Sequence, residues 1–202
     1  MDIGAASPVE LVRLFPDRAL ALANAAKSTF GLASRAIAAA SLPLADHASR
    51  NWLERAGNPY RQEIKELAAL LGIRGTWFLN VCFEWGCTSG VWDSESGPVL
   101  RRVLDWPFPK LGENLVVAKQ QAKAGVFFNM TWPGFNGVLQ AMAPDRFAAA
   151  INQAPMRRRG AGYAGDWLSA RVAVSKSVAL PPAHLLRRVF ETAPDYSVAK
   201  DL

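Results

Sequence analysis

The chain has few of the residues that form metal centres and disulfide frameworks. Its 202 residues include two cysteines and two histidines. Cys82 and Cys87 lie on one predicted extended run, about 16 Å apart at the rise of a strand, which is too far for a disulfide bond. His47 and His184 have no ligand spacing with each other or with the cysteines, so the sequence predicts no metal site, and we expect no cofactor. Sparse cysteine favours a reducing compartment, and we expect a cytoplasmic protein.

The sequence also lacks the apolar runs that target or anchor a chain. Its first residues form neither a basic n-region nor an apolar h-region, which predicts no signal peptide. Residues 19–40 are rich in alanine, but Lys27 and Arg35 interrupt them and alanine is only weakly apolar. We therefore expect a soluble or surface-packed helix there rather than a membrane span.

The charge is positive, with a formal net value of +6. Such an excess raises the question of nucleic acid or an anionic membrane as partner. The basic residues are scattered, apart from the cluster Arg157-Arg158-Arg159, which precedes a glycine-rich segment typical of a flexible loop. No DNA-binding or RNA-binding motif accompanies the cluster, so we expect no nucleic-acid partner. A solvated loop is the favoured interpretation, and peripheral contact with an anionic lipid headgroup or a substrate is the alternative.

Helical patterns dominate before Gly75 and strand patterns follow it. A capping box at residues 7–10 and apolar spacing in residues 58–71 predict helices, with a further helix at residues 46–56. The extended segments predicted after Gly75 are residues 76–83, 88–92, 99–104, 125–131, 138–143 and 146–152. Residues 181–192 are helical again, with Leu185, Leu186 and Val189 on one stripe. Successive hairpins between helices predict an α+β fold with antiparallel sheets.

One hairpin brings reactive side chains together. Residues 94–97 (SESG) form a turn signal between two strand-like runs, residues 88–92 and 99–104. A hairpin that folds near position 95 or 96 places Cys87 across from about position 104. The predicted geometry therefore brings a thiol to the end of a short hairpin, facing the second strand.

Arg102 and Asp105 then flank Cys87 within one or two cross-strand positions, at about 5 to 8 Å. Because their numbers differ by an odd value, a regular strand would point them to opposite faces. We expect a bulge, or the end of the strand near Trp106, to turn one of them back.

Three stretches carry a resemblance to a known family: residues 80–89 (NVCFEWGCTS), 102–107 (RVLDWP) and 150–155 (AINQAP). Around them the chain resembles the cysteine N-terminal-nucleophile (Ntn) hydrolases of the acid ceramidase, N-acylethanolamine acid amidase and choloylglycine hydrolase group. The family pattern at the second stretch is Arg-Asn-Leu-Asp, and Val103 stands here in place of the asparagine.

The resemblance implies a four-layer αββα sandwich, in which two antiparallel sheets face each other between helical layers. We expect the sandwich to be incomplete at its C-terminus, because family members commonly continue with further strands and a second oxyanion-hole asparagine. Self-cleavage between Gly86 and Cys87 is also implied. It would separate a helical pro-segment or α-subunit, residues 1–86, from a catalytic region or β-subunit, residues 87–202, and the two pieces would stay associated.

The resemblance also assigns roles to four catalytic residues. Cys87 would be the nucleophile, with its own freed α-amine as the base. Arg102 would hold the thiolate, Asp105 would accept a hydrogen bond from the α-ammonium, and Asn152 would donate to the oxyanion. Gly86, which has no Cβ, would allow close approach to the scissile bond. The expected substrate-binding aromatic residues are Trp106, Trp132 and Phe135.

The implied function is hydrolysis of a non-peptide carboxamide through a thioester acyl-enzyme. The partner would be a small N-acyl amide, such as a ceramide, an N-acylethanolamine, a conjugated bile acid or a penicillin. Acyl transfer to an amine is a close relative, because a thioester does not specify its acceptor. The alternative belongs to another class: a truncated, non-catalytic remnant of the family that acts as a lipid-binding or interaction module.

Overall fold

The computed structural model describes residues 7–28, 31–81, 86–105, 110–153, 157–160 and 162–202. Within them the chain is a mixture of helices and antiparallel sheets, which confirms the predicted α+β class. The helices are α1 (Pro8–Leu14), α2 (Pro16–Ser28), α3 (Gly31–Arg55), α4 (Arg61–Leu71), α5 (Thr76–Val81), α6 (Gly162–Ser175), α7 (Pro182–Thr192) and α8 (Tyr196–Asp201), with a short 3-10 helix at Gly112–Asn114. No helix in this part of the chain is long and apolar enough to cross a membrane.

Local signals set the ends of the first helices. Ser7 Oγ accepts a hydrogen bond from the backbone N–H of Glu10, and the Glu10 carboxylate accepts one from the N–H of Ser7. This is the predicted capping box, and it begins α1 at Pro8. Helix α4 ends at Gly72, which adopts the left-handed conformation with φ of 61°. The predicted helix at residues 46–56 is the last part of the longer α3.

Residues 76–83 were expected to be extended, and this prediction is wrong for the described part, because residues 76–81 form helix α5. The Asp46 carboxylate, on α3, accepts hydrogen bonds from the N–H groups of Gly75 and Phe78 at 2.7 and 3.0 Å. An acidic side chain thus satisfies the free N–H groups at the start of the helix. Trp77 and Val81 then pack on one core cluster with α3 and α4. Asp46, which lies 29 residues before Gly75 in the chain, thus stabilises residues 76–81 as a helix.

The strands form two antiparallel sheets. Strands β1 (Gly86–Ser94) and β2 (Gly97–Asp105) make a two-stranded hairpin. The other sheet has the order β3-β4-β5-β6, and its strands are β3 (Val116–Ala122), β4 (Gly125–Thr131), β5 (Gln140–Ala143) and β6 (Phe147–Ala150). Strand β4 has the predicted bounds, β5 and β6 are shorter than predicted, and β3 has no counterpart in the sequence analysis.

The apolar stripe predicted for helix α7 is confirmed only in part. Helix α7 begins at Pro182 and ends at Thr192, close to its predicted bounds. Of the expected stripe, Val189 is buried and Leu186 packs against a core cluster, whereas Leu185 is 40% exposed. The buried positions of α7 are Ala183, His184, Arg187, Val189 and Phe190. Helix α7 is rotated in this way because its polar residues His184 and Arg187 bond to α4 and its neighbourhood. Helix α6 has no counterpart in the sequence analysis.

One core cluster joins the helices to the hairpin. Leu22 from α2 packs with residues from the later half of the chain: Leu111, Trp132, Phe135, Leu139 and Ala183. The half-buried side chains of Cys87, Leu104 and Ile151 pack against this cluster. The hairpin therefore lies on a shared apolar core, with Cys87 on the inner face and most of β1 exposed to solvent.

Candidate functional site

The β1–β2 hairpin has regular antiparallel pairing along its whole length. Cys87 pairs with Leu104, as the position of the turn predicts. Ser94 closes the turn, because its Oγ donates to the carbonyl of Gly97 at 2.7 Å and accepts from the N–H of Ser96 at 3.3 Å. Gly97 adopts a φ of 101°, which favours glycine. A local turn thus fixes the register and, through it, the neighbours of Cys87.

Cys87 and Arg102 meet on one face of this hairpin. Residues paired across antiparallel strands share a face, and faces alternate along each strand. Cys87 and Ser89 on β1 therefore share their face with Leu104 and Arg102 on β2. The Nη2 atom of Arg102 donates a hydrogen bond to Cys87 Sγ, at 2.8 Å. This contact gives the half-buried thiol a cationic hydrogen-bond donor.

Asp105 lies on the face opposite to Cys87, because the pairing runs without interruption to this residue. Neither a bulge nor the end of the strand turns it back, so both expected alternatives are wrong. Its carboxylate faces Thr88, whose Oγ1 lies 3.5 Å from Asp105 Oδ2. Asp105 is instead paired with Gly86, the residue before the proposed nucleophile. A Cβ at Gly86 would lie 2.8 Å from the Asp105 carbonyl oxygen, so the close approach of the two strands requires glycine there.

Asn152 reaches the Cys87 face from another strand. It follows β6, where the N–H of Ile151 bonds to the carbonyl of Leu139 at 2.9 Å. The Asn152 side-chain amide donates to the Oγ of Ser89, which shares its face with Cys87. Asn152 is exposed to solvent. The structure thus brings Cys87, Arg102 and Asn152 to one face.

The expected substrate-binding aromatic residues fall into two groups. Trp132 and Phe135 are 8% and 3% exposed, and their rings stack with centroids 4.7 Å apart. Both belong to the cluster on which Cys87 packs, so they form the apolar layer beneath the thiol. Trp106 lies outside the described residues, as does Cys82.

A buried polar network, which sequence reasoning missed, holds the turn that carries Trp132 and Phe135. Asn80 Oδ1 accepts a hydrogen bond from the N–H of Asn136 at 2.6 Å, and Asn80 Nδ2 donates to the carbonyl of Gly134 at 3.1 Å. The Asn136 amide also donates to Glu63 on α4. The backbone of this turn is therefore fixed to α5 and α4 by buried amides.

Arg187 on α7 completes the network. Its Nη1 atom donates to Glu63 Oε2 at 2.6 Å and to the Asn136 carbonyl at 2.8 Å. Its Nε atom donates to Glu191 at 2.8 Å. Burial alone would lower the pKa of Arg187, but Glu63 and Glu191 hold it above its usual range. The sequence carries one signal of this role, since Arg187 stands at helical spacing between Ala183 and Phe190, on the apolar face of α7.

His184 is a fully buried, neutral neighbour of this network. Its Nδ1 atom faces the Asn58 amide nitrogen at 2.8 Å, while Asn58 Oδ1 accepts from the N–H of Tyr60. Nδ1 is therefore the acceptor, and the proton of the neutral ring is on Nε2. Burial, with a smaller contribution from the Arg187 cation, lowers the pKa of His184 to about 3. Burial and the Glu191 carboxylate, which accepts from its hydroxyl, raise the pKa of Tyr60 above its usual range.

The described residues hold no group of three or more His, Cys, Asp and Glu side chains placed to bind a metal ion. Cys87, Arg102 and Asn152 instead bring together a thiol, a guanidinium that donates to it and a side-chain amide on the same face. The chain matches no protein-family model and no curated protein.

Proposed function

We propose that this protein is a self-processing cysteine amidohydrolase of the N-terminal-nucleophile type, which cleaves a non-peptide carboxamide. The observation that carries the proposal is the 2.8 Å contact between Arg102 Nη2 and Cys87 Sγ. A cation bonded to a half-buried thiol is the environment that activates a cysteine nucleophile. The presence of Asn152 on the same face supports an acyl-transfer site rather than a plain core cysteine.

The first reaction is proposed to be the cleavage of the chain by itself. The Cys87 thiol adds to the carbonyl carbon of Gly86, the C–N bond breaks, and a proton passes to the nitrogen. The product is a thioester between Gly86 and Cys87 Sγ, with a free α-amine on Cys87. Water then hydrolyses the thioester and leaves the Gly86 carboxylate and the Cys87 thiol.

In each later turnover, the freed α-amine takes the proton of the thiol. An α-amine titrates at about 7.7–8.0, so part of it is neutral at physiological pH. The thiolate attacks the carbonyl carbon of the substrate amide, and the amine leaves with the proton that the α-amine returns. Water hydrolyses the resulting thioester and releases the carboxylic acid. Arg102 donates a hydrogen bond to the thiolate. The Asn152 amide leaves Ser89 Oγ and donates instead to the oxyanion of the tetrahedral intermediate.

Asp105 is proposed to act only after the cleavage. It pairs with Gly86, so its carboxylate is on the strand position next to the scissile bond. Once that bond is cut, the new α-ammonium of Cys87 is a strong donor near this carboxylate. Asp105 would accept a hydrogen bond from this α-ammonium and orient it. Asp105 can therefore contribute to the site although its side chain lies on the face opposite to the thiol.

The proposed fold is the αββα sandwich, with residues 1–86 as the α-piece and residues 87–202 as the β-piece. Leu22 of the first piece packs in one cluster with Trp132 of the second, which supports their staying associated after cleavage. The apolar layer of Trp132 and Phe135 beneath Cys87 favours a substrate with an apolar acyl group. The proposed substrates are therefore N-acyl amides, among them ceramides, N-acylethanolamines, conjugated bile acids and penicillin-like amides.

The proposal is tested by two measurements on the purified protein. Intact-mass analysis over time detects the two fragments. Turnover is measured as free amine released from four N-acyl amides: a ceramide, an N-acylethanolamine, a conjugated bile acid and a penicillin-like amide. Cys87→Ala provides the comparison for both. A well-folded chain that neither cuts itself nor releases amine from any member of the panel would refute the enzyme proposal.

A non-catalytic module that binds lipid or another protein is the second candidate. The observation in its favour is that Trp92 and Val103, which share the hairpin face opposite to Cys87, are 39% and 60% exposed. Apolar side chains gathered on an exposed hairpin are typical of an interaction surface. Binding that persists in the uncleaved Cys87→Ala chain, without turnover in the natural sequence, would favour this candidate.

A further inference from the structure

A buried asparagine on α5 contacts the turn whose aromatic rings lie beneath Cys87. Asn80 is 1% exposed. Its Nδ2 atom donates to the Gly134 carbonyl at 3.1 Å, and its Oδ1 atom accepts from the Asn136 N–H at 2.6 Å. Nδ2 also donates within the helix, to the Thr76 carbonyl at 2.9 Å. Two of the three hydrogen bonds of this side chain thus cross from α5 to the turn.

The turn itself has the local signals of its own conformation. Residues 132–135 (WPGF) place proline and glycine at the two central positions, and the N–H of Phe135 bonds to the Trp132 carbonyl at 3.2 Å. Gly134 has a φ of 96°. A Pro-Gly pair with a positive φ at the glycine is typical of a type II turn. Asn80 is therefore not needed to form the turn, and its bonds fix where the turn lies against α5.

The place of the turn determines the place of two rings. Trp132 and Phe135 flank the Pro-Gly pair, and their rings stack with centroids 4.7 Å apart. Both belong to the cluster against which Cys87 packs. A shift of the Gly134 backbone would move both rings relative to the thiol, because Gly134 lies between them in the chain.

Other contacts hold this segment at a different residue. Glu63 accepts from the Asn136 side chain, and Arg187 donates to the Asn136 carbonyl, one residue after the second ring. These bonds remain when Asn80 is changed, so the segment keeps its attachment to α4 and α7. Loss of the Asn80 bonds should therefore displace the turn without detaching the segment.

We infer, on the basis of the proposed function, that Asn80 is a positioning residue that sets the acyl preference of the amidase through the rings beneath Cys87. A long acyl chain gains from the apolar surface of these rings, whereas an acetyl group is too short to cover much of it. The chemical groups do not depend on Asn80, because Arg102 reaches Cys87 across the hairpin and Asn152 follows β6. A change at Asn80 should therefore alter selectivity more than the chemical step.

Asn80→Ser separates the two kinds of bond. A serine hydroxyl in a helix can bond to the carbonyl four residues before it, here that of Thr76, and it is too short to reach the turn. The test compares kcat/KM for an N-decanoyl amide with kcat/KM for the N-acetyl amide of the same amine. We expect Asn80→Ser to lower this ratio about tenfold, the effect of exposing about two methylene groups. The fall should come from a higher KM for the decanoyl amide, because binding is lost and not chemistry. Self-cleavage should continue.

A double-mutant cycle shows whether Asn80 acts through the rings. Phe135→Leu should lower the same ratio, because it removes one of the two rings. If Asn80 acts by placing this ring, Asn80→Ser should have little further effect in the Phe135→Leu background. Two independent residues would instead give effects that multiply.

Val81→Ala is the matched control. Val81 is the next residue on α5, is 5% exposed and packs in another core cluster. Its truncation should lower the melting temperature and keep the ratio of the two substrates. Asn80→Asp, which keeps the acceptor for the Asn136 N–H and removes the donor to Gly134, decides the question if Asn80→Ser does not fold.

The outcomes separate this role of Asn80 from the proposed function. An unchanged ratio in the Asn80 variant that folds, an equal fall in Val81→Ala, or effects that multiply with Phe135→Leu would overturn the positioning role, while turnover by the natural sequence would still support the amidase. A natural sequence that neither cuts itself nor releases amine from either substrate would refute the proposed function, and the positioning role with it.

Discussion

Arg102 Nη2 lies 2.8 Å from Cys87 Sγ, on the same face of a hairpin whose pairing is regular from Gly86 to Asp105. The neighbouring Arg101 points to the other face, where its guanidinium stacks on Trp92 with a distance of 4.6 Å to the ring centroid. Two consecutive arginines thus have different surroundings, and only one of them can act on the thiol.

This pair of arginines gives a matched test of the site. Arg102→Gln should lower kcat/KM for an N-acyl amide about 10- to 100-fold, because it removes a charge-assisted hydrogen bond to the sulfur. Arg101→Gln removes the same charge from the opposite face and should leave kcat/KM within about twofold. Steady-state kinetics on both variants, with melting curves to verify folding, make the comparison. Equal losses of kcat/KM in the two variants would show that activity depends on the positive charge of the hairpin and not on the hydrogen bond from Arg102 to Cys87.

The second prediction concerns self-cleavage. We expect fragments of 86 residues and, from 202 − 86, of 116 residues, which elute together in size-exclusion chromatography but separate under denaturing conditions. Cys87→Ala should stay intact, because it has no nucleophile to attack the Gly86 carbonyl. Cys82→Ala is the control and should still cut itself. Cleavage in Cys87→Ala but not in Cys82→Ala would move the site to the other cysteine.

The third prediction separates Asn152 from its neighbour Gln153, which is also exposed. Asn152→Ala should lower kcat about 10²- to 10³-fold with little change in KM, the effect of removing one oxyanion donor. Gln153→Ala should leave both constants nearly unchanged. A rise in KM alone for Asn152→Ala would assign this residue to substrate binding instead.

Ser89 completes that comparison, since its Oγ accepts the hydrogen bond of the Asn152 amide. Ser89→Ala should keep most of the activity, because in the proposed mechanism the Asn152 amide leaves Ser89 to donate to the oxyanion. A loss as large as that of Asn152→Ala would show that Ser89 is needed to orient the amide.

The hairpin was predictable from the sequence because its signals are local. The turn at residues 94–97 fixes its own geometry, and the pairing of Cys87 with Leu104 follows by counting. The side of Asp105 also followed from the odd spacing to Arg102, and the expectation of a bulge was an error of interpretation. The bounds of β4 were predictable for a similar reason, since Gly125 and Pro133 are turn residues at either end.

The contacts that hold α5 and the turn carrying Trp132 and Phe135 were not predictable from local signals. Residues 76–81 have the apolar composition of a strand, and they become a helix because Asp46 bonds to its first turn. Glu63 and Arg187 are ordinary charged residues in sequence, and only the tertiary fold places them 2.6 Å apart beneath Asn136. Contacts between distant positions leave no periodicity to read.

The fourth prediction tests these supports. Glu63→Ala should lower the free energy of unfolding by about 1.5–3 kcal/mol, because it removes a charge-assisted hydrogen bond of the largely buried Arg187, which keeps Glu191 as its second carboxylate partner. Glu66→Ala, at an exposed position of the same helix, should change it by less than about 0.5 kcal/mol. Urea unfolding followed by circular dichroism measures both. Similar stabilities for the two variants would mean that the network contributes nothing net.

The fifth prediction follows from the burial of His184, which lowers its pKa from 6.5 to about 3. Between these values the unfolded chain binds a proton at this position and the native protein does not. Stability is therefore complete above pH 6.5 and is lost as the pH falls, by about 1.4 kcal/mol per pH unit from this group. His184→Gln, which cannot titrate, should be less stable at pH 7 but lose less stability between pH 6.5 and about 5, where few carboxylates titrate.

Urea unfolding at a series of pH values measures this slope, and His47→Gln is the matched variant at an exposed position on α3. Only the change at the buried histidine should flatten the curve. A natural sequence whose free energy of unfolding stays constant from pH 7 to 5 would contradict the argument, since it would mean that His184 gains its proton without unfolding. An equal slope in the natural sequence and in His184→Gln would instead assign the acid sensitivity to other groups.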